Sequence, residues 1–145
     1  LNISLSSNVS ETRKSIGKVL DGLQNTKQNL LEDVAEQIVI EAQNILRLNG
    51  NEGMGELLNS IKILESGIGT VLVGTQKDYA GYVEYGRGPV RPLSPDGVLH
   101  WVDRETGEDV FTKYSSPVEP SPFMAPAVES VVAWYKGIVA EKYNG

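Results

Sequence analysis

The chain contains no cysteine. Disulfides, thiolate nucleophiles and cysteine-ligated zinc are therefore excluded, and the composition suits a reducing compartment. His100 is the single histidine. A metal site built on it needs carboxylates at ligand spacing, and no recognisable motif supplies them. Beside Trp101 it reads as a surface or loop-facing residue. No apolar run approaches the roughly 20 residues that span a bilayer, so no membrane partner is expected. The first residues, Leu1-Asn2-Ile3-Ser4-Leu5, lack the charged and apolar regions of a signal peptide. They also lack an initiator Met, which reads as processing or a late start. Bases are scarce: 13 Lys and Arg stand against 19 Asp and Glu, a net charge of −6. That argues against clamping nucleic acid on a broad basic face. It is compatible with DNA sliding past a weakly repelling wall.

Two enzyme signatures are missing as well. The glycine-rich stretch Asn49 to Gly55 has no Gly-Lys-Ser/Thr ending, so it is not a phosphate-binding P-loop. No Gly-x-Ser-x-Gly elbow supports a serine nucleophile. No cofactor is implied.

What remains is an ordinary foldable composition, 40% hydrophobic and 22% charged over 145 residues. That length supports one domain, residues 1–145, around one core. Residues 1–25 read as an N-terminal arm, or short edge strand, followed by a short helix from Ser10. In this helix Ile16, Val19, Leu20 and Leu23 recur at helical spacing, and Gly17 and Gly22 weaken it. The clearest helix is the second, with Leu30, Leu31, Val34, Ile38, Ala42, Ile45 and Leu46 on one face. Asn25 or Thr26 can cap its start, and Asn49-Gly50 stops it. Gly55 to Ile61 reads as a turn into a strand, with Ile61, Ile63 and Glu65 alternating against Lys62 and Leu64. Thr70 to Gly74 returns as a second strand across Gly67-Ile68-Gly69.

Tyr79 to Tyr85 predicts a short helix ended by Gly86 and Gly88. Residues 86–120 form an extended loop and hairpin elaboration. Pro89, Pro92 and Pro95 enforce the loop, and Val98–Val102 and Asp109–Tyr114 pair across a polar connection. A last helix runs from about Phe123 to Tyr143, striped by Val128, Val131, Val132, Tyr135, Ile138 and Val139. Ser121 is its expected cap, with Pro122 in its first turn. The pattern predicts an α+β fold, a small antiparallel sheet packed against a long amphipathic helix and a C-terminal helix.

The chemistry-bearing candidates concentrate at Tyr79 to Arg87. Glu84 lies among Tyr82, Tyr85 and Arg87, a setting for a partly desolvated carboxylate paired with a base. Such a pair fixes geometry more than it adds stability. As acids for hydrolysis, Glu84 with Asp78, or Asp103 with Glu105 and Glu108, are the available sets. The second set sits in a hairpin turn, where charges are usually solvated, and a glycosidase-type pair needs a second carboxylate across a cleft. The tyrosines also raise single-strand stacking, which requires a basic groove. Lys77, Arg87 and Arg91 are the only local bases. Tyr, Trp and Arg are enriched at protein interfaces. Tyr79, Tyr82, Glu84, Tyr85, Arg87, Trp101 and Phe123 are thus structural or interface candidates rather than catalytic or metal-binding ones.

An ordered set of short motifs resembles a known family. It comprises Gly55-x-Leu57-x-x-Ser60-Ile61, Val73-Gly74, Tyr79-Ala80-x-x-Val83-Glu84-x-Gly86 and Pro122-Phe123-Met124-x-Pro126-Ala127. These resemble the tail-completion, tail-terminator and head–tail joining proteins of long-tailed bacteriophages, over most of the chain from Leu30 onward. The resemblance implies a non-enzymatic virion protein made in the host cytoplasm. It implies a homo-oligomeric ring, commonly hexameric, with a neck or connector protein on its head side and the tail tube protein on its tail side. DNA would pass through without specific binding. The Val98–Tyr114 hairpin is longer than the family pattern, and residues before Asn25 have no counterpart in it. Tail terminator, head-completion protein and other neck or minor tail protein all fit. A small hydrolase using Glu84, and a host-directed interaction module using the proline-rich arm, are the rivals from other classes.

Overall fold

The computed structural model describes residues 5–50, 55–103 and 105–144. The chain is α+β. It runs α1 (Leu5–Leu48), α2 (Gly55–Ser60), β1 (Lys62–Gly67), β2 (Thr70–Gly74), α3 (Ala80–Tyr85), β3 (Leu99–Val102), β4 (Asp109–Thr112) and α4 (Met124–Asn144). The strands form two separate antiparallel hairpins, β1–β2 and β3–β4, where one small sheet was expected.

The two N-terminal helices expected from the sequence are one. α1 is a continuous helix of 44 residues, on the order of 65 Å at about 1.5 Å per residue. The predicted cap at Asn25-Thr26 does not act as one. Thr26 Oγ1 donates back to the Gly22 carbonyl at 2.9 Å, the i−4 bond of a hydroxyl inside a helix. The arm or edge strand read over residues 1–10 is helical from Leu5, and residues 1–4 lie outside the described residues. Gly55–Ser60 is also helical rather than a turn. It drives Leu57 into full burial before the chain extends at Lys62.

β1 does not keep the simple alternation. Ile63 pairs with Val73 and Glu65 with Leu72, leaving Leu64 as an extra residue. Such a bulge flips the facing of what precedes it, so Ile63 and Leu64 are both half-buried. The hairpin tip docks on α1. Gln28 Oε1 accepts from the Gly69 N–H at 2.9 Å, and Gln28 Nε2 donates to Ser66 Oγ at 2.9 Å.

The core is small and lies at one end of α1. Ala42, Leu46, Leu57, Ile61, Val83, Phe123 and Ala127 form one buried cluster. Ala42 and Ala127 lack bulk beyond Cβ, which lets α1 and α4 approach closely. α4 buries less than its stripe suggested. Val131 is buried and Val132 and Tyr135 half-buried, while Val128, Ile138 and Val139 are exposed. From Glu11 to Lys27 every residue of α1 except Gly17 is exposed.

Candidate assembly interface

α4 begins with an accounting problem. The first N–H groups of any helix have no intrahelical acceptor, and α4 carries no acidic residue in its first turn. Glu84, from α3, solves it. Its Oε2 accepts from Phe123 N–H at 2.8 Å and from Met124 N–H at 2.9 Å, and its Oε1 accepts from Ala125 N–H at 3.0 Å. The next residue is Pro126, which has no N–H to satisfy. All four leading positions of the helix are thereby closed by one carboxylate and one proline. The negative charge also faces the positive end of the helix dipole.

The expectation that Glu84 pairs with a base is therefore corrected. Its partners are main-chain amides 39 to 41 positions away in sequence. Arg87 turns elsewhere. Its Nη2 donates to Ser115 Oγ at 2.9 Å and to the Ser116 carbonyl at 3.2 Å, and its guanidinium lies 5.9 Å from the Tyr82 ring centroid. Ser121 is not the helix cap that was expected: its N–H donates to the Val83 carbonyl at 2.8 Å and its Oγ accepts from Asn49 Nδ2 at 3.0 Å. Pro122 lies before the helix rather than within its first turn.

The chain reaches this arrangement through Gly86. Its φ of 74° with ψ of −179° belongs to a region essentially reserved for glycine. A Cβ there would stand 2.7 Å from the Val118 carbonyl oxygen and 2.9 Å from Pro120 Cδ. Gly86 thus lets the 118–120 segment run back against the end of α3. Arg87 pairs with Val118, and Val90 with Ser115, in isolated antiparallel bridges. Residues 87–118 consequently leave and rejoin the body at one narrow base, carrying β3–β4 at their far end.

The sequence-predicted residues separate into two groups. Tyr79, Glu84 and Phe123 meet at the α3–α4 junction: Glu84 is 8% exposed, Phe123 1%, and Tyr79 packs against the core cluster. Tyr82, Tyr85 and Trp101 face outward, and Arg87 is half-buried at the base of the 87–118 segment. Sequence reasoning missed the remote amide partners of Glu84. The clue was a helix start with two prolines and no acid of its own.

On the distal hairpin, His100 Nε2 lies 2.6 Å from Asp109 Oδ1 and the ring stacks on Phe111 at 4.6 Å. Among the described residues no group of three or more His, Asp or Glu is arranged to hold a metal ion. In the connecting turn, the backbone N–H of Thr106, and then that of Glu105, holds the Asp103 carboxyl below its ordinary range. Glu32 is lowered too, first by the Ser66 hydroxyl and then by the Gln28 amide.

The motifs that were separate in sequence are thus one structural clasp: Val83-Glu84-x-Gly86 on one side, Phe123-Met124-x-Pro126-Ala127 on the other. The profile of the family described as "Bacteriophage HK97-gp10, putative tail-component" matches residues 10–86, just over half the chain. The chain belongs to this family. No curated protein and no solved structure matches it. Membership in the HK97-gp10-like family makes the chain a phage tail structural protein whose partners are other virion proteins. The match ends at Gly86, on the α3 side of the clasp.

The rest of the surface is large for the mass of the chain. The accessible area is 10921 Å², whereas a compact chain of 15.8 kDa exposes about 7,300 Å². The excess, roughly 3,600 Å², exceeds what two standard interfaces take from one partner, about 800 Å² each. Many large apolar side chains are exposed. Ile16, Val19, Leu20 and Leu23 line the arm of α1, Leu93, Trp101 and Phe111 line the 87–118 segment, and Trp134, Ile138 and Val139 lie on α4, all exposed. No helix among the described residues is long and apolar enough to cross a membrane.

Proposed function

We propose that the chain is a tail-completion or tail-terminator subunit, which joins head and neck to tail as a ring of six copies. One observation carries the reading within the family: the chain exposes about half again the surface of a compact protein of its mass, with many large aliphatic and aromatic side chains exposed. Apolar side chains exposed in such numbers are what contact with other proteins would cover. A ring of six needs two different faces on each subunit, because a self-complementary contact stops at a dimer, and head-to-tail contacts close when the interface rotation fits. The arm of α1 and the 87–118 segment both carry exposed apolar side chains available to such contacts. The neck connector would meet the ring on its head side and the tail tube protein on its tail side. A net charge of −6 favours passage of DNA through the lumen without specific binding, since few phosphate contacts release counterions.

The role is structural in this reading. A hydrolase built on Glu84 needs that carboxyl free to exchange a proton with substrate. Both its oxygens already serve three main-chain donors. The test is electron microscopy of tail tubes from the same phage incubated with the purified chain. Density closing one end of each tube, with sixfold symmetry, supports the proposal. Bare tube ends at saturating protein contradict it.

A further inference from the structure

The arm of α1 has a charge unlike the rest of the molecule. Residues 1–27 hold Arg13, Lys14, Lys18 and Lys27 against Glu11 and Asp21, a net of +2. The remaining 118 residues hold 9 bases and 17 acids, a net of −8. The arm also has an apolar seam. Arg13, Ile16, Leu20, Leu23 and Lys27 follow one another at steps of three and four, which puts them on one helix face. Ile16, Leu20 and Leu23 are 53, 54 and 62% exposed, and Val19 beside them 61%. Two basic ends therefore flank an uncovered apolar stripe.

The body offers a matching surface. An open groove of about 320 Å³ runs between α1 and β1, lined by Val39, Ile40, Ile61 and Ile63 with exposed Glu36 and Lys62. The arm cannot fill the groove of its own molecule. Leu20 and Ile40 lie on one uninterrupted helix, about 30 Å apart at 1.5 Å per residue. The stripe and the groove of one molecule therefore cannot cover each other.

Charge selects among the ways two copies can meet. Arm against arm brings two segments of +2 together, and like charges oppose that contact. Arm against body brings +2 to −8. The second contact is also heterologous, as a closed ring requires, whereas the first is self-complementary and stops at a dimer. The excess surface of the chain leaves ample area for such a contact.

We infer that the N-terminal arm of α1 docks on the body of a neighbouring copy, laying Ile16, Val19, Leu20 and Leu23 into the Val39–Ile40–Ile61–Ile63 groove. The inference rests on the ring reading and names the device that links one subunit to the next. Arg13 and Lys27, at the two ends of the stripe, meet a body of net charge −8, which gives the association a salt dependence.

The test is sedimentation velocity of the full chain at low and high salt, against Leu20→Asp/Leu23→Asp and Arg13→Glu/Lys27→Glu. All four positions are exposed, and circular dichroism with thermal melting confirms that each variant stays folded. The apolar double variant is expected to weaken self-association at least 100-fold, and the charge double variant at least tenfold with loss of the salt dependence. Unchanged oligomers in the apolar variant overturn the arm while leaving the ring standing. An arm-dependent oligomer that never caps tail tubes keeps the arm and removes the ring. A monomeric wild-type chain at every concentration, with or without tubes, removes both. The absence of cysteine adds a second check. Leu20→Cys alone should stay uncrosslinked on oxidation, while Leu20→Cys with Ile40→Cys should give an interchain ladder. Efficient crosslinking of Leu20→Cys alone means that arms pair with each other and overturns the docking mode.

Discussion

Glu84→Gln changes one oxygen to an amide nitrogen and removes one charge, with almost no change of shape. In the wild type, three main-chain N–H groups converge on the two oxygens at 2.8, 2.9 and 3.0 Å. The amide keeps one acceptor oxygen and turns an NH₂ donor toward donors. The charge-assisted bonds, each about 1.5–3 kcal/mol, fall to neutral ones of about 0.5–1.5 or are lost. The interaction with the helix dipole, up to about 2 kcal/mol in a partly buried setting, goes too. These terms overlap, because both count the same charge near the same N–H groups. We therefore expect about 2–4 kcal/mol of destabilisation for Glu84→Gln. Glu84→Ala should cost about 3–5 kcal/mol, since it leaves donors without any protein acceptor. At about 2–4 °C per kcal/mol for a chain of this length, the melting temperature of Glu84→Gln should drop on the order of 10 °C.

Urea titration gives the free energy, and amide hydrogen exchange at Phe123, Met124 and Ala125 gives the mechanism. Those three amides should lose protection in Glu84→Gln ahead of amides in the middle of α1. The exposed Glu56, which pairs with Lys77 at 2.9 Å, is the control. Its Gln variant should change stability by less than about 1 kcal/mol, as surface pairs do. A Glu84→Gln protein as stable as wild type, with those amides still protected, would falsify the clasp.

Other expectations follow from the same geometry. Gly86→Ala should destabilise by about 3 kcal/mol or more, because a backbone region costing about 1–3 kcal/mol without glycine is joined to a clash with main chain; chemical denaturation measures it. Phe123→Ala should cost about 3–5 kcal/mol as a buried aromatic lost from the core, read in the same assay. Gly17→Ala/Gly22→Ala meets no neighbour within 4 Å. It should raise helicity and stabilise the arm by up to about 1 kcal/mol per site, seen as increased ellipticity and slower exchange in residues 11–27. Glu32 and Asp103 are held below their ordinary values when folded, so their contribution is present above the ordinary carboxylate range, about pH 4. It fades as pH falls through the lowered values. Ser66→Ala should bring the Glu32 titration back up in carbon-detected NMR, with no movement in Asp103.

Much of the fold was legible because its signals are local. The amphipathic spacing from Leu30 to Leu46, the turn at Ile68-Gly69 and the Gly86 stop each depend on neighbours in sequence, and helix, hairpin and helix end follow, although Leu30 itself stays exposed. The continuity of α1 was not legible. Asn25-Thr26 offers a good cap, but a cap acts only if the chain leaves the helix there, and Thr26 satisfies its hydroxyl on Gly22 instead. The bulge at Leu64 depends on pairing with β2 and leaves no mark in the alternation. At the junction, Glu84 stood out as a carboxylate among aromatics, and Arg87 three residues on was the nearest visible partner. The actual partners are backbone groups, which every residue carries and no sequence pattern advertises. Only the unprotected start of α4, with its prolines and missing acid, pointed to a remote acceptor.

The central claim, that this tail component works as a closed ring at the tail end, is tested most directly by native mass spectrometry. The purified chain is measured alone and after incubation with tail tubes of the same phage. The account predicts a single closed oligomer of six copies, or its stoichiometric complex with tube ends. A chain that stays monomeric at every concentration and leaves the tubes unbound would contradict it.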